Sequence, residues 1–158
     1  GHSCVSFFAV ETLIALGAEI PRENILPLAA DTEYANLTHE LLEEHGLLSL
    51  FPQEYSSPEY LAKSDMVHWL TYPTELGKIP DEIELIGKVK YFFGKDEYYV
   101  FRYRSDSENL GDELKGKWLI GWSSENGETF SNFDLLEKYE KGSPEKTLKN
   151  IKKHAIGR

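Results

Sequence analysis

Between Ile83 and Phe133 apolar and polar residues alternate along the chain, and turn-forming residues interrupt the alternation three times. One parity carries Ile83, Leu85, Val89, Tyr91 and Phe93 and, beyond Gly94-Lys95-Asp96, Tyr99, Phe101 and Tyr103. A period of two places such positions on one face of a strand, so the spacing predicts an antiparallel hairpin over 83–103 turning around Gly94 to Asp96. A third run, Trp118-Leu119-Ile120-Gly121-Trp122, ends near Asn126-Gly127, a strong reversal signal, and Thr129-Phe130 offers a short return strand. The expectation is an antiparallel sheet of three to five strands.

The first half of the chain has helical periods instead. Val5 to Leu16 is apolar around nearly the whole circumference, and such a helix needs cover on more than one side. Gly17 ends it, a second helix begins near Pro21, and a third runs from Glu33 to His45, closed by Gly46. Ser57-Pro58-Glu59 opens a fourth helix that uses Leu61, Met66, Trp69 and Leu70 as buried contacts and ends before Pro73. Past the sheet, Phe133, Leu135, Leu136 and Tyr139 suggest a short helix or turn. A last helix starts at Ser143-Pro144-Glu145 with Leu148, Ile151 and Ala155 as its apolar stripe. The predicted fold class is α+β: N-terminal short helices (1–75) packed against a C-terminal antiparallel sheet with a terminal helix (76–158).

The stretches Val10-Glu11-Thr12-Leu13-Ile14-Ala15-Leu16-Gly17 and Leu26-Pro27-Leu28-Ala29-Ala30-Asp31, followed by Leu37 to Leu42, are short leucine-spaced helices stopped by glycine or proline turns. Over residues 5–50 this resembles the end of a HEAT-type helical repeat array. The resemblance implies scaffolding or partner binding and brings no catalytic residues with it.

Charge narrows the partners. The net charge of -10 is uneven: residues 1–136 hold 10 Lys or Arg against 24 Asp or Glu, while residues 137–158 hold 7 against 3. The acidic body repels nucleic acid and anionic lipid, so the expected partner is a protein or a second copy of the chain. A single cysteine, Cys4, fits a reducing compartment and a cytoplasmic location. The apolar run near the start is too short to cross a bilayer, so no membrane insertion is expected.

Candidate chemistry is sparse. His39 and Glu43 share a helical face, but the zinc-peptidase pattern fails because glutamate stands where its second histidine belongs. Glu97 and the pair Asp106 and Glu108 read as negative surface. The glycines form no phosphate loop and the serines no nucleophile elbow, so no cofactor, no metal and no catalytic residue is assigned. Two binding candidates remain. Phe7 and Val10 mark the first helix as an association surface unless the next two helices enclose it. Tyr98, Arg102 and Arg104, on the strand parity opposite the aromatic one, form either a helix-covered face or an exposed patch that grips an acidic or aromatic partner, with pairing of the arginines inside the acidic body as the competing reading. Trp69, Trp118 and Trp122 are assigned to the core. The favoured function is a noncatalytic interaction or accessory module, such as the terminal part of a larger repeat protein; the alternative is a small hydrolase or ligand-binding enzyme with a cleft between helices and sheet.

Overall fold

Glycine sets the ends of the first and third helices. After α1 (His2–Ala15) the Gly17 amide donates to the Ile14 carbonyl and the Ala18 amide to Leu13, with Gly17 at a φ of 66°. After α3 (Ala35–Glu44) the same pair of bonds runs from Gly46 to Glu43 and from Leu47 to Leu42, with Gly46 at 67°. This left-handed closure satisfies carbonyls that the helix leaves unpaired, and glycine adopts it without a Cβ clash. Between them lies α2 (Arg22–Ala30), entered through the extended Pro21. The computed structural model describes residues 2–90, 97–124 and 128–157.

The chain divides into two compact units, Gly1–Asp65 and Met66–Arg158. The division falls inside α4 (Pro58–Leu70), where the hydroxyl of Ser57 caps the first turn by accepting from the Tyr60 amide at 3.3 Å. In the first unit Val10, Ile20, Ile25, Leu28, Ala29, Leu42 and Phe51 make the buried core, and Phe7, Leu13, Ile14 and Tyr34 pack against it. Ser3 ties α1 to the α2–α3 connection by donating to Asp31 at 2.5 Å.

The second unit is built on a four-stranded antiparallel sheet in the order β1-β2-β3-β4: Glu82–Lys90, Glu97–Arg104, Leu119–Ser124 and Thr129–Phe130. With helices N-terminal and sheet plus helix C-terminal, the chain is α+β. The pairing of β1 with β2 is antiparallel as the alternation predicts, whereas the expected turns at Gly94 to Asp96 and at Asn126-Gly127, with Tyr91 and Phe93, lie outside the described residues.

One expectation about β1 is corrected. The register slips between Leu85 and Gly87, so Leu85 stands opposite Phe101 but Val89 stands opposite Tyr98. A bulge of one residue reverses the parity beyond it. Val89 therefore packs with Tyr98 and Val100, and Leu85, on the other face, stays 41% exposed.

Beneath the Tyr98 face lies α5 (Pro144–Ile151), capped by the Ser143 hydroxyl on the Lys146 amide. Its Ile151, with Ala155 and Ile156 of the following wider turn, joins Tyr98, Val100, Ile120, Trp122, Leu136 and Tyr139 in one core. At Gly87 an added Cβ would lie 2.6 Å from Leu148, so the missing side chain is what lets the helix approach the strand. The opposite parity of β2, with Tyr99, Phe101 and Tyr103, is equally buried. The Tyr103 hydroxyl sits 2.5 Å from that of Ser131, which also bonds the Ile120 carbonyl and the Phe133 amide, and burial raises its pKa.

Candidate interaction surface

The geometry of α1 follows from its composition. At 100° per residue, Phe7, Val10 and Ile14 fall on one side of the helix and Val5, Phe8, Thr12 and Leu16 on the other, and both sides are mostly apolar. Only the first side is covered. Val10 is fully buried, and Phe7 is half-buried with its ring 5.7 Å from that of Tyr34. The other side is open: Val5 is 71% exposed, Phe8 61% and Leu16 75%. Ala9, Thr12 and Ala15 fill the space between them, also exposed. The Thr12 hydroxyl donates to the Phe8 carbonyl at 2.9 Å, so its donor is met within the helix.

The sequence-expected pair of Phe7 and Val10 is thus corrected by two facts of burial. Val10 belongs to the core, and the open surface is phased about half a turn away, on Val5, Phe8 and Leu16. Glu11 flanks this surface on the same helix and is exposed. The surrounding unit is strongly acidic, because residues 1–65 carry eleven Asp or Glu and two basic side chains, Arg22 and Lys63.

The second candidate set is placed differently from a binding patch. Tyr98 is buried, and its hydroxyl donates to Glu128 at 2.9 Å. Arg102 donates from Nε to Glu84 at 2.9 Å, and Arg104 pairs with Glu82, which holds its pKa above the ordinary value. Both guanidinium groups also lie over the Trp118 ring, 4.2 and 4.6 Å from its centre. Trp118 is half-buried, packed against the core of Tyr98, Val100, Ile120 and Trp122 with the cations over its ring, and Trp69 is half-buried as well; Trp122 alone of the three is buried. These arginines serve the sheet: their hydrogen-bond forks and planar faces are already engaged within it.

The sequence's metal candidate is likewise occupied. His39 Nδ1 lies 3.7 Å from Glu43, and its ring meets Phe51 edge-on at 5.0 Å. Burial lowers the His39 pKa, with Glu43 opposing the shift. Burial also raises that of Glu40, and Asp65 adds to it. Among the described residues no three or more His, Cys, Asp or Glu side chains group closely enough to hold a metal ion, and no helix is long and apolar enough to cross a membrane. A groove of about 610 Å³ in the first unit is lined by Arg22, Glu23, Leu26, Phe51, Gln53 and Glu54.

Compared with protein-family models, with curated proteins and with solved structures, the chain matches none.

Proposed function

We propose that the chain is a noncatalytic protein-interaction module that docks a partner on the uncovered side of α1. The observation that carries this reading is the helix itself, apolar on both sides and covered on one. Full burial of a Val, Leu or Phe side chain is worth about 1.5–3 kcal/mol, so three such residues at their present exposure hold roughly 3–6 kcal/mol of unrealised burial. A partner contributing a similar amount of its own apolar surface brings the sum to roughly 6–12 kcal/mol, against an association cost of about 4–15 kcal/mol. That balance fits a reversible partner rather than a permanent one. The run of short helices α1 to α3, closed by Gly17 and Gly46, supports a HEAT-like scaffold role for the first unit. The lone Cys4 supports a reducing, cytoplasmic setting.

The test uses the purified chain and its Phe8→Ser/Leu16→Ser variant. Partners captured by the wild type are purified and their binding reconstituted. The reading expects binding to fall at least tenfold in the variant while thermal unfolding is unchanged. Undiminished binding would place the interaction elsewhere.

A further inference from the structure

We propose that the partner docking on α1 is a basic amphipathic helix, whose apolar stripe meets Val5, Phe8 and Leu16 and whose Lys or Arg side chains answer Glu11 at the edge of the stripe and the net negative charge of residues 1–65; this rests on the reading of α1 as a docking surface. Three observations carry it. The open stripe runs from Val5 to Leu16, roughly 16 Å along the axis at 1.5 Å per residue, the length of about three turns of a facing helix. Small side chains, Ala9 and Thr12, sit between the large ends, leaving a shallow seat for one bulky residue of the partner. The charge then chooses the kind of helix. With eleven acids against two bases in residues 1–65 and the exposed Glu11 beside Phe8 and Ala15, the field over the stripe is negative. A second copy brings the same excess of negative charge to the interface and is repelled. A cationic helix is attracted from beyond contact distance, and Glu11 offers it one opposite charge at the rim. Docking of this kind is a helix laid on an apolar face, read through residues at i, i+3, i+4 and i+7.

The probe is a fluorescein-labelled 18-residue helical peptide with leucines at that spacing and lysines on both flanks, compared with the same peptide carrying glutamates in place of the lysines. Binding to the full chain is read by anisotropy at 50 and 300 mM salt. The lysine peptide is expected to bind at least tenfold tighter than the glutamate peptide at 50 mM, with the gap narrowing at 300 mM as screening shortens the field. Phe8→Ser/Leu16→Ser should lose tenfold or more, and Glu11→Lys should weaken only the lysine peptide, by a few fold. Equal binding of both peptides, lost in Phe8→Ser/Leu16→Ser, would keep the docking surface and overturn the basic partner. Lysine-peptide binding untouched by Phe8→Ser/Leu16→Ser would overturn the docking surface itself. Sedimentation showing a dimer that the same substitutions dissociate would name a second copy as the occupant and overturn the inference.

Discussion

The two units differ in net charge and in how their open apolar side chains are placed, scattered at Tyr72, Ile79, Leu85 and Phe130 in the sheet unit and, for Val5, Phe8 and Leu16, gathered on one helix in the other. In the sheet unit most of β2 is buried on both faces, and the arginines at its end pair with glutamates of the edge strand β1, Arg102 with Glu84 and Arg104 with Glu82, while both stack on one indole. Its charges nearly balance, with fifteen Lys or Arg against sixteen Asp or Glu in residues 66–158. The helical unit leaves three large apolar side chains of α1 open and carries a nine-charge acidic excess. A contiguous apolar stripe left open in a unit of net negative charge is the surface that the proposed docking would use.

The largest effect should come from the sheet unit. Phe101 is fully buried on the face of β2 away from α5, and Phe101→Ala is expected to cost about 3–5 kcal/mol in denaturant titration. A loss below about 1 kcal/mol would show that the sheet is not sealed on that face. Next come the helix closures. Gly17 and Gly46 have open space where a Cβ would stand, so alanine there suffers only the left-handed backbone, worth about 1–2 kcal/mol at each site. Equal stability of both variants would mean that the α1 and α3 ends adopt another conformation.

The arginine pair should matter less. Arg102→Ala removes one exposed ion pair and one cation–π contact, together about 1 kcal/mol, and the difference should shrink in high salt. A much larger loss would show that Arg102 is needed to hold Trp118 against the core. The smallest effect is a pH dependence in the helical unit. Because burial lowers the folded-state pKa of His39, the unfolded chain takes up the proton first as the solution is acidified. The stability tied to neutral His39 is present above the unfolded value of about 6.5 and is lost as pH falls through it. Wild type should therefore lose more stability than His39→Gln between pH 7.5 and 5.5, and parallel profiles would contradict the assignment. Glu40, whose pKa burial raises, acts in the opposite sense at lower pH, since its protonated form is the one the fold prefers.

Much of this was legible along the chain. Gly17 and Gly46 mark helix ends through a backbone conformation that other residues resist, and Ser57-Pro58 and Ser143-Pro144 mark starts through cap chemistry, so all four appear where the sequence places them. The phase of α1 was not legible. A helix apolar around its circumference offers no polar side to point outward, so Phe7 and Val10 were as reasonable a choice as Val5 and Phe8 until burial separated them. The β1 bulge left one sign, a glycine inside a strand, but Gly87 does not say by itself that the parity of Val89 reverses. Trp118 illustrates a third kind of miss: two arginines spaced by two residues lie on one strand face, and only the register of β2 against β3 shows that they share an indole.

The central claim is that α1 is held by one side and open on the other, and paired denaturant titrations of Val10→Ser and Phe8→Ser test it most directly. Val10 lies in the core, so a hydroxyl there should cost about 2–4 kcal/mol through lost packing and a buried polar group. Phe8 is open, and Phe8→Ser should change stability by no more than about 0.5 kcal/mol in a chain whose folded spectrum is unaltered. Losses of similar size at both positions would show that the outer side of α1 is covered within the folded chain, and the docking surface would go with it.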